Sequence, residues 1–241
     1  MTDMASGDPR LIEDLVAANR ILAHEGVLDG WGHVSVRHDR DPHRYLLSRA
    51  RAPELVTVAD IMEFDLDSSP IDARGRSLYT ERFIHGAIYA SRPDVMAIVH
   101  THAPPVIPFG VSTVPLRPVY HRAAFVSEGV PVFEIRDAGG MTDMLIRDAA
   151  LGRALAETLG ARSAALMRGH GAVVVGPSVP MLVSRSVFLA LNATLQAQAM
   201  ALGGPITYLD PEEARRINAR EGYGVSRAWE AWKRRAMAPG P

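Results

Sequence analysis

The chain has 241 residues, 47% of them hydrophobic and 22% charged, with a net charge of −1 and no cysteine. That balance is ordinary for a globular protein and excludes disulfides, thiolate chemistry and a basic field for nucleic acid or anionic membrane. The length suits one large α/β domain, no apolar run reaches membrane-spanning length, and the polar stretch Met1 to Asp8 has no signal-peptide core, so a cytoplasmic protein is expected.

The first predicted element is a helix starting at Asp8-Pro9, because aspartate caps and proline fits the first turn. Leu11, Leu15, Ala18 and Leu22 form its apolar stripe, and Gly26 is a natural stop. Strands follow at residues 33–37 and 44–47, then a helical turn at 57–61 with Thr57 and Asp60 at capping-box spacing, then a strand at 62–66. Residues 68–70 and 73–77 read as loops. A helix opens at Glu81, carries Ile84, Ala87 and Ile88 at helical spacing, and ends near Ser91-Arg92-Pro93. Further strands are predicted at 94–100, 130–135, 164–167 and 172–175. Helices are predicted at 148–159 and 179–202, the second alanine-rich and apolar enough to suit a buried helix or a subunit interface. Beyond about residue 211 the chain is a charged, partly helical tail with two tryptophans, Trp229 and Trp232.

The chemistry concentrates where the strand Val95-Met96-Ala97-Ile98-Val99 ends in His100-Thr101-His102. Residues i and i+2 of a strand project to the same side, so the two imidazoles leave together. His170, between Gly169 and Gly171, supplies a third imidazole on a backbone free to turn sharply, and Glu81 supplies a carboxylate. Three histidines and one carboxylate suit a divalent transition metal with an open position. His24, His38 and His43 read as ordinary surface or half-buried residues, and His85, one turn after Glu81, as packed or supporting.

Glu81, the run His85-x-x-x-Tyr89-x-x-Arg92-Pro93-Asp94-Val95, His100-Thr101-His102 and His170-Gly171 together resemble the class II aldolase/adducin family across residues 10 to 205. The resemblance implies a single-domain three-layer α/β fold over residues 1–241, with a central, mostly antiparallel sheet flanked by helices. It also implies one divalent ion per subunit (zinc or manganese, with iron a third candidate) on His100, His102 and His170, and Glu81 as ligand or acid/base. A homotetramer with a site near a subunit boundary is expected on the same ground, and a C-terminal tyrosine, Tyr223 here, is a candidate to complete a neighbour's site.

The departures narrow the substrate. Sugar-phosphate members carry Gly-Asn-x-Ser-x-Arg, where this chain has Gly32-His33-Val34-Ser35-Val36-Arg37. Their small phosphate turn is replaced by Leu46-Leu47-Ser48-Arg49-Ala50-Arg51-Ala52-Pro53, and their serine pair before the acid by Tyr79-Thr80. Arginine suits planar, bidentate recognition of a carboxylate. The pattern is similar to the decarboxylase-like branch, which acts on hydroxylated aromatic or pyridine carboxylates. His33, Ser35, Ser48, Arg49, Arg51, Thr80 and Tyr223 are therefore expected to bind a small carboxylate substrate, with Glu81 protonating the carbon that loses carbon dioxide. Two alternatives accompany this reading: an aldolase on a small non-phosphorylated hydroxy-carbonyl compound, and a non-catalytic adducin-like assembly module. Retention of all four metal-centre positions argues against the latter.

Overall fold

The computed structural model describes residues 7–238, so most of the polar N-terminal stretch lies outside the described residues. Helix α1 (Pro9–His24) starts as its sequence predicts: the Asp8 carboxylate accepts the Arg10 N–H, and proline sits in the first turn. Strands β1 (His33–Arg37) and β2 (Arg44–Ser48) form a hairpin. The turn between them is bound by His38, which is buried rather than half-exposed because its Nδ1 accepts the amides of Arg40 and Asp41. A single 3-10 turn, Val58–Asp60, leads into β3 (Ile61–Asp65). Then come α2 (Phe83–Ser91), β4 (Ala97–Thr101), the short α3 (Ile107–Gly110), β5 (Val132–Phe133), α4 (Ile135–Gly139) and α5 (Ala149–Leu159). The chain finishes with β6 (Ala164–Met167), β7 (Gly171–Gly176), α6 (Val179–Ala201), α7 (Pro211–Asn218) and α8 (Val225–Ala236).

The strands make one seven-stranded sheet in the order β3-β2-β1-β4-β7-β6-β5. Every pairing is antiparallel except β5 with β6. Side-chain alternation splits the core into two layers. Val34, Val36, Ala97, Val99, Ala172 and Val174 meet Leu15 and Leu22 of α1 and Leu182 and Leu189 of α6. Tyr45, Leu47, Ile98, Val173 and Val175 meet Ile84 and Ile88 of α2 and Leu151, Leu155 and Leu159 of α5. Helices thus cover both faces, as expected, and each fully buried Leu or Ile contributes about 1.5–3 kcal/mol. The same alternation turns His33, Ser35 and His100 toward the α2 and α5 side. The register sets His33 directly opposite His100.

Two expectations need correction. Residues 130–135 hold only the two-residue β5, because Glu134 leaves the sheet and caps α4 by accepting the Arg136 N–H. Glu81 lies in a 3-10 turn, Thr80–Arg82, with its own backbone at φ −91°, ψ 19°, and α2 begins only at Phe83. The apolar α6 packs against the sheet, α1 and α8, so its composition is explained within one chain. Its inward Asn192 and Gln196 pin the segment before Tyr120, accepting the amides of Val119 and Arg117. The tail folds back as two helices: Trp229 and Trp232 pack on the core, and Lys233 pairs with Asp14 at 2.5 Å.

Candidate metal centre

His100 projects from near the end of β4 and His102 follows just beyond it. His170 arrives from the β6–β7 connection, a tight turn closed by its own N–H on the Met167 carbonyl at 3.0 Å. Gly169 takes φ +62° there, a conformation that side chains with Cβ rarely adopt. Gly171 packs so closely on β4 that a Cβ would fall 2.0 Å from the Thr101 carbonyl oxygen. This contact draws His170 against the strand that delivers the other two histidines.

The three imidazoles converge through their Nε2 atoms: His102 lies 3.0 Å from His100 and 3.1 Å from His170. Each ring is engaged at Nδ1, His100 by the Ala172 carbonyl at 3.3 Å, His170 by the Met144 carbonyl at 3.1 Å, and His102 by both Asp29 oxygens at 3.0 and 3.1 Å. Those acceptors take the Nδ1 protons of the neutral rings and leave three Nε2 lone pairs facing one another. Such lone pairs repel unless a cation lies between them. Glu81 Oε2 completes the set, 3.3 Å from His100 Nε2 and 3.5 Å from His170 Nε2, and all four ligand atoms lie within 4.8 Å of one another. A tetrahedral zinc ion with bonds of roughly 2.0–2.1 Å separates its ligand atoms by about 3.4 Å. The donor set therefore fits a divalent ion in both chemistry and spacing. Carbonyl and carboxylate partners on the outer ring nitrogens are the usual orientation of metal-bound histidine.

Electrostatics agree. Burial alone would raise the Glu81 carboxyl, but His100 and His170 outweigh it and hold the group well below the usual carboxylate range. The backbone N–H of Ile146 also donates to Glu81 Oε1 at 2.9 Å, which fixes one oxygen and leaves the other for the cluster. Burial lowers His102, with His100 acting in the same direction. For His170 burial opposes charge, yet the adjacent Glu81 wins and raises it.

A cavity of about 460 Å³ opens above the cluster. Glu81, His102, His170 and His33 line its polar part; Trp31, Leu78, Tyr79 and Leu145 give it apolar walls, and Arg51 brings a cation. Of the substrate-facing residues expected from the sequence, His33, Arg51 and Thr80 line this cavity. Ser35, Ser48 and Arg49 do not. Ser48 is buried behind the wall, 3.4 Å from the Tyr79 hydroxyl. Arg49 is drawn aside by Asp60, which binds its Nε at 2.6 Å and also Arg51 Nη1 at 2.9 Å. Burial opposes the Asp60 charge, but the two arginines and Thr57 hold its carboxyl down at about 2. Tyr223 is 82% exposed, between α7 and α8, and is not part of the cavity wall of its own chain. Arg37, the motif's arginine, is a structural clamp, donating to the carbonyls of Val95, Pro42, Tyr89 and Arg92.

A buried polar file runs inward from the cavity. His33 Nδ1 meets His85 Nε2 at 2.6 Å, His85 Nδ1 meets Ser35 Oγ at 2.6 Å, and Ser35 Oγ meets the Tyr89 hydroxyl at 2.9 Å. Burial keeps both imidazoles neutral, His33 well below its ordinary value and His85 at about 3.

Asp29 and Trp31 are the site residues the sequence reading passed over, and Tyr79 figured there only as a replacement for a serine. The signal for Asp29 was there: an Asp-Gly-Trp-Gly stretch just before a strand favours a side chain capping its own loop. Asp29 does so, accepting the amides of Trp31 and Gly32 at 2.9 Å while holding His102.

Residues 13–197 match the family described as the class II aldolase and adducin N-terminal domain, and the chain belongs to that family. Its similarity to proteins named decarboxylases within that family makes it a lyase of the decarboxylase-like branch. Among curated proteins it is similar to decarboxylase tropJ of Talaromyces stipitatus, with 34% identity over 95% of each chain. It is also similar to the 3,4-dihydroxyphthalate decarboxylase of Arthrobacter keyseri, with 28% identity over 90% of each. Among solved structures, an aldolase II superfamily protein from Pseudomonas syringae superposes with a TM-score of 0.79 at 22% identity, covering 96% of this chain and 94% of that one.

Proposed function

We propose that this protein decarboxylates a hydroxylated aromatic or heteroaromatic acid, of the dihydroxyphthalate or hydroxypyridine-dicarboxylate kind, with a divalent metal on His100, His102 and His170. The observation that carries this reading is the cavity itself: one space of about 460 Å³ whose lining combines apolar walls, the cluster of ligand atoms and the cation of Arg51. When bound, a zinc, manganese or iron(II) ion supplies Lewis acidity toward a ring hydroxyl, stabilising charge as carbon dioxide departs.

The chain's own residues do the rest. Leu78, Tyr79, Leu145 and Trp31 give the ring its apolar walls. Arg51 spends Nη1 on Asp60 and keeps its remaining N–H groups for a carboxylate. Thr80 offers a hydroxyl beside it. The bond from the ring to the leaving carboxylate breaks with its electron pair left on the ring carbon. Glu81 Oε2, a carboxylate at rest, takes the proton of the substrate's ring hydroxyl and then returns it to that carbon, its other oxygen held still by the Ile146 amide. Because Ser35, Ser48 and Arg49 stand behind the wall, they act on substrate through His33, Tyr79 and Arg51. The similarity to proteins named decarboxylases over nearly the whole chain supports this over aldol cleavage.

The proposal extends to a cytoplasmic homotetramer. Trp31 at the cavity rim and Tyr223 on the tail are 76% and 82% exposed, and a neighbouring subunit would cover such aromatics and bring Tyr223 to a site. Assay of carbon dioxide release over hydroxylated phthalates and pyridine dicarboxylates, with each divalent metal, tests the reading. Release of an aldehyde from a hydroxy-carbonyl compound, with no carbon dioxide from any acid, would replace it with the aldolase.

A further inference from the structure

The file from Tyr89 to His33 has a direction. The Tyr89 hydroxyl is buried, and its one hydrogen-bond partner among the described residues is Ser35 Oγ. Its single proton therefore goes to Ser35. Ser35 then donates to His85 Nδ1, so His85 carries its proton on Nε2 and donates to His33 Nδ1. His33 is left with its proton on Nε2. The opposite direction would strand a buried hydroxyl proton without an acceptor, which disfavours it by roughly tenfold or more.

His33 Nε2 has no partner among the described residues and is not among the buried unpartnered atoms, and the residue lines the cavity. That nitrogen is what His33 offers a ligand. We propose that His33 is a locked hydrogen-bond donor, its tautomer imposed by the distant Tyr89 through Ser35 and His85, and that it selects substrates presenting an oxygen lone pair at that position. The tautomer assignment stands on the geometry alone; the oxygen's identity as a carboxylate or phenolate of an aromatic acid rests on the function proposed above.

The file does not feed protons. Burial pushes the Tyr89 phenol far above its ordinary range, so moving every proton one step toward the cavity would leave a phenolate where none is tolerated. Glu81 remains the proton carrier, and His33 a specificity-determining residue. Ser35, far from the substrate, is thereby explained as a link that must both donate and accept. Alanine at this position could do neither, whereas threonine keeps the hydroxyl.

Nitrogen-15 spectroscopy of the zinc-loaded protein, labelled in the histidine rings, tests the assignment. The expected pattern for His33 is a protonated Nε2 and a bare Nδ1, turning to a mixture of both tautomers in Tyr89→Phe and in Ser35→Ala. A bare Nε2 in the wild type, or an unchanged pattern in both variants, overturns the proposal. Affinity of the same zinc form for 3,4-dihydroxybenzoate supplies the second arm. His33→Gln, whose amide can present an N–H near the same point, should bind within about threefold of wild type, and His33→Leu at least about tenfold more weakly at equal zinc content. Equal binding by His33→Leu overturns the donor role. A correct tautomer pattern with no wild-type binding of any hydroxybenzoate overturns the aromatic-acid reading and leaves the lock standing.

Discussion

Asp29 lies outside the metal cluster, yet its replacement should be felt there. Its two oxygens sit 3.0 and 3.1 Å from His102 Nδ1, while Oδ1 also accepts the amides of Trp31 and Gly32. Losing such an outer partner typically costs about 10–100-fold in metal affinity, or roughly 1.4–2.7 kcal/mol. The two obvious variants divide that cost. Asp29→Asn keeps an oxygen for the amides and for the imidazole but removes the charge, so zinc affinity should fall about tenfold with the loop intact. Asp29→Ala removes the acceptor as well; His102 loses its orientation, and the fall should approach about 100-fold. Competition with a chromophoric chelator reads both constants, and thermal melting of the metal-free proteins checks that the loop survives. Unchanged zinc affinity in Asp29→Ala would refute the reasoning, because His102 would then be shown to hold its position, or to matter, without Asp29.

Asp60 gives a pH signature. Its folded carboxyl sits at about 2, below the unfolded value of 3.8, so its contribution of ~2 kcal/mol is fully present above the unfolded value and fades as pH falls through 2. Urea midpoints should therefore separate wild type from Asp60→Asn at pH 6 and converge toward pH 2; a pH-independent gap would contradict the ion-pair account. Arg51→Ala should raise KM about tenfold for a dicarboxylate with metal content unchanged, whereas Arg49→Ala, outside the cavity wall, should change it less than about threefold; equal effects would erase that distinction. Gly171→Ala should destabilise by at least about 1–3 kcal/mol and displace His170, because its methyl would meet the Thr101 carbonyl; wild-type melting would show that β7 can move away.

The legible part of this protein was whatever its chemistry announces locally. Proline after Asp8, alternation in β1 and β4, and the His100-Thr101-His102 spacing each point to structure without distant partners. The cluster was legible because imidazole and carboxylate bring their chemistry wherever the chain places them. What could not be read depends on contacts across long separations. Arg49 and Arg51 look alike in sequence and both pair with Asp60, yet only Arg51 lines the cavity, a difference set by the fold around them. Ser35 and Ser48 share a hydroxyl with many surface residues, and only the sheet register buries them. Asp29 acquires its role through His102, 73 residues away. The apolar α6 suggested an interface equally well as a core, and it packs against α1 and the sheet within one chain.

The central claim is that His100, His102, His170 and Glu81 hold an ion on which decarboxylation depends. Its most direct test is carbon dioxide release from 3,4-dihydroxyphthalate by chelator-treated protein, titrated with one divalent metal at a time. The account predicts no release without metal and full release at one equivalent per chain, with His100→Ala inactive at that point and Glu81→Gln loaded but without turnover. Full turnover by protein carrying less than about a tenth of an equivalent of metal would contradict it.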